Sequence, residues 1–234
     1  MTTSIVRFTT WQRAQHAAVM GLFALLCLTG LPQKYFDSGW AAGLLAFMGG
    51  IDGARWLHRA SGVAFAALMV AHFGDLLVRL ARGKGSLSMM PHRKDVEDAL
   101  ITLRYYIGLG ERQARFDRFD YKQKFEYWGM ALGSLVVVVT GFVLLYPIQV
   151  AEWLPGSAIP VAVVVHSSEG LLAFLTIITW HIFNACFTPD VFPLDRSIFT
   201  GRISEERMRH EHPLEHERLT APEPETASRR KGAV

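Results

Sequence analysis

Five of the nine histidines in this chain lie inside long apolar runs, and that placement limits what it can fold into more than any other feature. Four segments, residues 12–32, 56–80, 125–146 and 159–187, reach the roughly 20 apolar residues needed to cross a bilayer core. A soluble core would scatter its apolar residues with amphipathic spacing. Here the hydrophobic half of the composition is concentrated in blocks. The expected fold is an all-α membrane protein, a four-helix transmembrane bundle over residues 1–200 with a charged, partly disordered tail over 201–234. The stretch Trp40 to Met48 is apolar but too short to span, and reads as an interfacial or re-entrant piece ended by Gly49-Gly50. The first run starts after Arg13 and ends at Pro32 without a small-residue cleavage pattern, so it reads as a retained span, not a signal peptide.

Orientation follows from where the basic residues fall, since the net charge of +3 says little by itself. The connection between the second and third spans carries Arg79, Arg82, Lys84, Arg93, Lys94, Arg104, Arg112, Arg115, Arg118, Lys122 and Lys124. Arg7 and Arg13 precede the first span, and Arg196, Arg202, Arg207 and Arg209 follow the last. The opposite loops hold little beyond Lys34 and Arg55. Both termini and the long middle loop are therefore expected on the cytoplasmic side of a bacterial inner membrane. Within that loop, Val96, Leu100, Leu103, Tyr106 and Ile107 have the spacing of an amphipathic helix over Asp95–Gly108. The tail has helical, charge-rich composition to about Leu219 and then turns rich in Pro, Glu and Ser, a composition that favours disorder.

The intramembrane histidines are His16, His58, His72, His166 and His181. An ionisable side chain in a bilayer is costly and needs a reason. His58 and His72 are 14 residues apart in the second span, and His166 and His181 are 15 apart in the fourth. At about 100° per residue these intervals leave each pair about −40° and +60° off one face. At about 1.5 Å per residue they separate the members by about 21–22 Å, one near each side of the membrane. Two stacked haems b, each held by neutral imidazoles, fit that arrangement as an electron path across the bilayer. Gly62 and Gly170 each follow a histidine by four residues, removing a side chain from the turn where a macrocycle would lie. His58 and His166 share the outer leaflet and are expected to hold one iron. For the inner iron His181 is expected, with either His16 or His72 opposite. Arg55 and Arg59 are candidates to pair with haem propionates, or are simple interfacial anchors.

Cys27 and Cys186 stand singly in apolar runs and form neither a CxxCH haem c site nor an iron–sulfur ligand set, and they read as inert buried thiols. Asp75 is expected to pair with Arg79, four residues on, with a proton relay as the competing role. Glu169 reads equally as a haem-edge carboxylate or a solvated interface residue. His210, His212 and His216 have metal-like spacing but lie in a charged tail without cysteines, so a solvated or partner-docking segment is expected there.

The order of several short motifs resembles the cytochrome b subunits of respiratory formate dehydrogenases and of nickel–iron hydrogenases. These are Arg13-Ala14-Gln15-His16, Thr29-Gly30, Leu57-His58 with Gly62, Gln123-Lys124 before Tyr127-Trp128, Thr140-Gly141, and His166 with Gly170 and His181. The resemblance runs from about Arg13 to His212. It implies a membrane subunit with two haems b that passes electrons between a quinone, menaquinone or ubiquinone, and an iron–sulfur or multihaem cytochrome c partner in a hetero-oligomeric complex. It also implies an inner haem on His16 and His181, an outer haem on His58 and His166, and a quinone site near the start of the third span. Asp120 stands there at the family's Asn position, a carboxylate suited to exchanging the quinone proton. The chain departs from the pattern in two places. The span-four interval is 15 where the family has 14, and His72 is an extra histidine at ligating depth, as in the cytochrome b6 arrangement where one helix pair holds both haems.

Competing functions are an electron conduit without its own quinone site and a haem-free anchor or proton-relay subunit. Either direction of electron flow fits. The chain carries no nucleotide-binding loop or Fe–S motif, so catalysis on any other substrate is expected on another chain, and nothing points to nucleic acid.

Overall fold

The computed structural model describes Ser4–Ala221. A three-residue strand, β1 (Ser4–Val6), precedes the first long helix. That helix, α1 (Thr10–Lys34), starts where Thr9 and Gln12 satisfy each other's backbone N–H groups, a reciprocal cap, and it ends just past Pro32. A short helix, α2 (Gly39–Phe47), occupies the apolar stretch too brief to span, and left-handed Gly49 and Gly50 turn the chain into α3 (Gly50–Ala81). Next come α4 (Arg93–Tyr106), α5 (Tyr121–Leu145), the short α6 (Pro147–Ala151) and α7 (Ala158–Thr176). Beyond α7 the coil continues as two π-helical turns, Ile177–His181 and Phe183–Phe187. The chain closes with α8 (Ser197–Thr200), β2 (Arg202–Ser204), α9 (Glu205–Glu211) and α10 (Pro213–Thr220).

Among the described residues four helices are long and apolar enough to cross a membrane: Thr10–Lys34, Gly50–Ala81, Tyr121–Leu145 and Ala158–Phe187, of 25 to 32 residues each. At about 1.5 Å per residue each exceeds the roughly 30 Å hydrocarbon core. The second begins six residues before the expected Trp56, because Gly50 to Arg55 continue the helix ahead of the apolar run. The chain is thus an all-α, four-span membrane protein.

Two compact units are formed, and the spans belong mainly to residues 7–86 and 126–201. There the end of α1 meets the start of α3 (Thr29 with His58), while the start of α1 meets the end of α3 (Gln15 with His72), so the two run antiparallel. The same pairing joins α5 to the last span, through Thr140 with His166 at one end and Glu126 with His181 at the other. Small residues dominate the buried positions, among them Ala41, Ala54, Ser61, Ala66, Ala162 and Thr29, which lets helix backbones approach closely. Val70, Leu132 and Val164, more than half exposed, present the apolar exterior a lipid environment requires.

Among the described residues the other unit comprises 4–6, 87–125 and 202–221. β1 and β2 pair antiparallel with Ile5 opposite Ile203, a ribbon too short to show periodicity in sequence. The amphipathic helix expected over Asp95–Gly108 is α4. Lys124 reaches Asp95 at 2.7 Å, and Arg118 reaches the buried Glu215 at 3.0 Å. Of the tail histidines, His210 is exposed, whereas His212 and His216 are drawn into the fold and not solvated as expected. His212 is buried and its Nδ1–H donates to the Asp117 carbonyl at 2.8 Å, while His216 lies 3.4 Å from Glu205. The chain's own loop takes up His212, and α9 takes up His216. Residues 222–234, where disorder was expected, lie outside the described residues.

Candidate functional site

His58, near the start of α3, and His166, in α7, face each other with ring centroids 6.1 Å apart and planes at 80°. At the other end of the helices His16 and His181 stand at the same centroid distance, 6.1 Å, with planes at 39°. Two imidazoles on opposite sides of one metal ion, each nitrogen about 2.0–2.1 Å from it and about 1.1 Å from its own ring centre, would have centroids about 6.3 Å apart. Both pairs match that dimension. No set of three or more His, Cys, Asp or Glu side chains among the described residues converges on a metal position. Each pair would offer two imidazole donors to a group that brings its remaining ligands with it, as haem does.

Hydrogen bonds select which ring nitrogen is free. The Thr29 hydroxyl donates to the Leu25 carbonyl at 2.7 Å, so it accepts the Nδ1–H of His58 at 2.9 Å. Thr140 repeats this arrangement, donating to the Val136 carbonyl at 2.7 Å and lying 3.1 Å from Nδ1 of His166. The Val137 carbonyl lies 3.0 Å from that same nitrogen and can only accept, which places the proton on Nδ1. In both neutral rings Nε2 keeps its lone pair for a metal. The glycine after each threonine is there for space. A Cβ on Gly30 would lie 2.9 Å from Cε1 of His58, and one on Gly141 would lie 3.2 Å from Cε1 of His166. Thr-Gly on one helix seating a histidine on the next is an internal repeat between the two helix pairs.

Gly62 and Gly170, one turn beyond His58 and His166, present bare backbone. A Cβ at Gly170 would meet nothing within 4 Å, and one at Gly62 would meet only a Leu26 methyl at 4.0 Å. A flat macrocycle fits against such a surface. Arg59 is exposed at the same end, and Arg55 lies 3.8 Å from Asp52.

At the opposite end two adjacent residues on each of α1 and α5 divide their contacts. His16 and Glu126 face His181; the Glu126 carboxylate accepts its Nδ1–H. Gln15 and Tyr127 face His72 instead, with Gln15 Oε1 3.3 Å from Nδ1 and the Tyr127 hydroxyl 2.9 Å from Nε2. Both ring nitrogens of His72 are thus engaged, whereas His16 is the ring neighbour of His181. Asp75 bonds Arg79 at 2.8 Å, as expected, and also accepts from the Trp11 indole at 3.2 Å.

The π-helical turn explains the extra residue in span four. Fifteen α-helical steps would place His181 about 60° off the His166 face. An i→i+5 turn advances only about 82° per residue. With five residues of Ile177–His181 wound this way, the offset becomes about −30°, near the −40° of a 14-residue interval.

Asp120 falls in the other unit, at the head of α5. Its carboxylate accepts from Gln123 N at 2.7 Å and lies 4.0 Å from Lys122. Glu169 packs against Gly133 of α5, and Cys27 and Cys186 are free thiols. Four residues were not singled out from sequence as histidine partners: Glu126, Tyr127, Thr29 and Thr140. A carboxylate one residue into an apolar run was the available signal for Glu126.

Four apolar spans and two histidine pairs at iron-spanning distance define a membrane haem protein of the cytochrome b class. The sequence profile of the prokaryotic cytochrome b561 family matches residues 7–201, and the chain belongs to that family. This agrees with a membrane cytochrome b subunit of the hydrogenase and formate dehydrogenase type, one that binds haem b and transfers electrons. No curated protein matches the chain.

Proposed function

We propose that the chain carries two haems b and passes electrons across the membrane between a quinone and partner redox subunits of a respiratory complex. The outer haem is held by His58 and His166, the inner haem by His16 and His181. The observation carrying this reading is the shared 6.1 Å ring separation of the two pairs. When bound, haem supplies reversible one-electron chemistry at iron. The chain's own residues fix the imidazoles, choose their tautomers and keep the turns at Gly62 and Gly170 clear. Arg59, exposed beside the outer pair, meets a propionate.

His72 is the spare histidine. It and Tyr127 form a hydrogen-bonded couple one residue away from the inner pair on the α5 side, a place where a quinone taking electrons there would also need protons. Asp120, at the family's quinone-side position, is the further acid. Both termini lie in the cytoplasm, on the strength of the basic residues flanking the first and last spans. The partner is an iron–sulfur or multihaem cytochrome c protein.

The test is haem content and α-band spectrum of His16→Ala beside His72→Ala in the purified protein. His16→Ala is expected to lose the inner haem and His72→Ala to keep both. The reverse result transfers the ligand role to His72, and wild-type protein without a Soret band ends the haem reading.

A further inference from the structure

The two histidine pairs are matched in distance but not in what stands behind them. At the His58–His166 pair the Nδ1 protons go to neutral oxygens, the hydroxyls of Thr29 and Thr140 and the Val137 carbonyl. At the His16–His181 pair the Nδ1 proton of His181 goes to the carboxylate of Glu126. From this difference we infer that Glu126 is a positioning residue that sets the reduction potential of the inner haem and makes it the lower-potential centre of the two. The inference rests on the proposed ligation by His16 and His181.

Glu126 lies inside a span, with only 16% of its side chain exposed. A carboxylate there is expensive unless a partner holds it, and its partner is the imidazole of His181. Two effects then act in the same direction. An anionic acceptor polarises the Nδ1–H bond, so the opposite nitrogen becomes a stronger donor to iron. The fixed negative charge also lies in a medium of low dielectric, where it is poorly screened. A bis-imidazole haem core carries one more positive charge in the ferric than in the ferrous state. Both effects therefore stabilise the ferric form and lower the potential. The neutral oxygens behind His58 and His166 provide the first effect weakly and the second not at all.

With both haems bound, this asymmetry would favour the exchange of ferrous inner plus ferric outer for ferric inner plus ferrous outer, so that a single electron would rest on the outer centre. Delivery to an inner quinone is then uphill in its final step inside this chain, and withdrawal from an inner quinol is downhill.

The experiment is a redox titration of the purified, haem-loaded protein followed at the α-band, beside Glu126→Gln. Glutamine keeps an oxygen to accept the Nδ1–H and removes the charge. The lower midpoint is expected to rise by at least a tenfold change in the ferric/ferrous ratio, about 59 mV for one electron. The upper midpoint should stay where it is. Two retained haems with unmoved midpoints overturn the inference and leave the haem assignment intact. Should Glu126→Gln lose its inner haem, single-haem variants with Glu126 in place decide. The centre left by His58→Ala must titrate below the centre left by His181→Ala, and the opposite order overturns the proposal. A wild-type chain that binds no haem removes the reading beneath it.

Discussion

His16 and His181 meet at 6.1 Å although His181 comes one residue later than its helix face requires, and the π-helical turn Ile177–His181 takes up that residue. Deleting Thr179 should let the segment revert to α-helix with a 14-residue interval and the same face. Both haems are expected to remain, read from pyridine haemochrome content. Deleting one residue from the α-helical part, such as Ala173, leaves the π turn in place and should cost the inner haem. Equal losses from the two deletions would refute a compensating role for the turn.

Thr29→Val removes the hydroxyl beside His58 Nδ1 and Thr140→Val the one beside His166 Nδ1, and each ring keeps a backbone carbonyl, that of Leu26 or of Val137. Loss of such an orienting partner typically costs about 10–100-fold in metal affinity. Haem dissociation to an apo-globin acceptor should therefore accelerate to a similar extent in the two variants. A large effect in one variant and none in the other would contradict the matched roles of the two threonines.

Gly30→Ala and Gly141→Ala test space instead of bonding. The added Cβ falls 2.9 Å from His58 in the first case and 3.2 Å from His166 in the second. The first demands that a ring move; the second asks for a few tenths of an ångström. Outer-haem occupancy should fall in Gly30→Ala and shift only slightly in Gly141→Ala, with the inner haem unaffected in both.

The ring planes differ, at 80° for His58–His166 and 39° for His16–His181. Crossed imidazoles leave the iron d-orbitals nearly degenerate. The oxidised outer haem should thus show a strongly anisotropic low-spin EPR signal with one dominant low-field feature. The inner haem should show a more ordinary rhombic signal, lost selectively in His16→Ala. Two identical rhombic signals would count against the ring orientations.

Asp120 is both a candidate acid and the acceptor for Gln123 N at the head of α5. Asn caps a helix about as well as Asp, whereas Ala costs about 1 kcal/mol. Asp120→Asn should retain the fold and thermal midpoint while slowing haem reoxidation by menadione if the carboxylate moves protons. Full reoxidation rates in Asp120→Asn, with slowing in Tyr127→Phe, would assign proton delivery to the His72–Tyr127 couple.

The spans were legible in the sequence because a bilayer imposes a length and an apolar composition that no other environment demands so bluntly. Depth was legible too, since about 1.5 Å per residue is a ruler along any helix. His58 and His166 could be assigned to one end of the spans, and His181 to the other, on that basis. What the ruler does not give is rotation and partnership. Whether His16 or His72 faces His181 depends on how α1 and α3 turn against the last span, and on a local π turn that shifts the face by a residue's worth of arc. The threonines and Glu126 lie 26 to 55 residues from the histidines they serve. Only helices packed side by side bring those oxygens to the rings. The sequence by itself determined a four-span chain with histidines at two depths. Tertiary structure decided which rings pair, which nitrogen each leaves free, and that a carboxylate stands behind one pair and neutral oxygens behind the other.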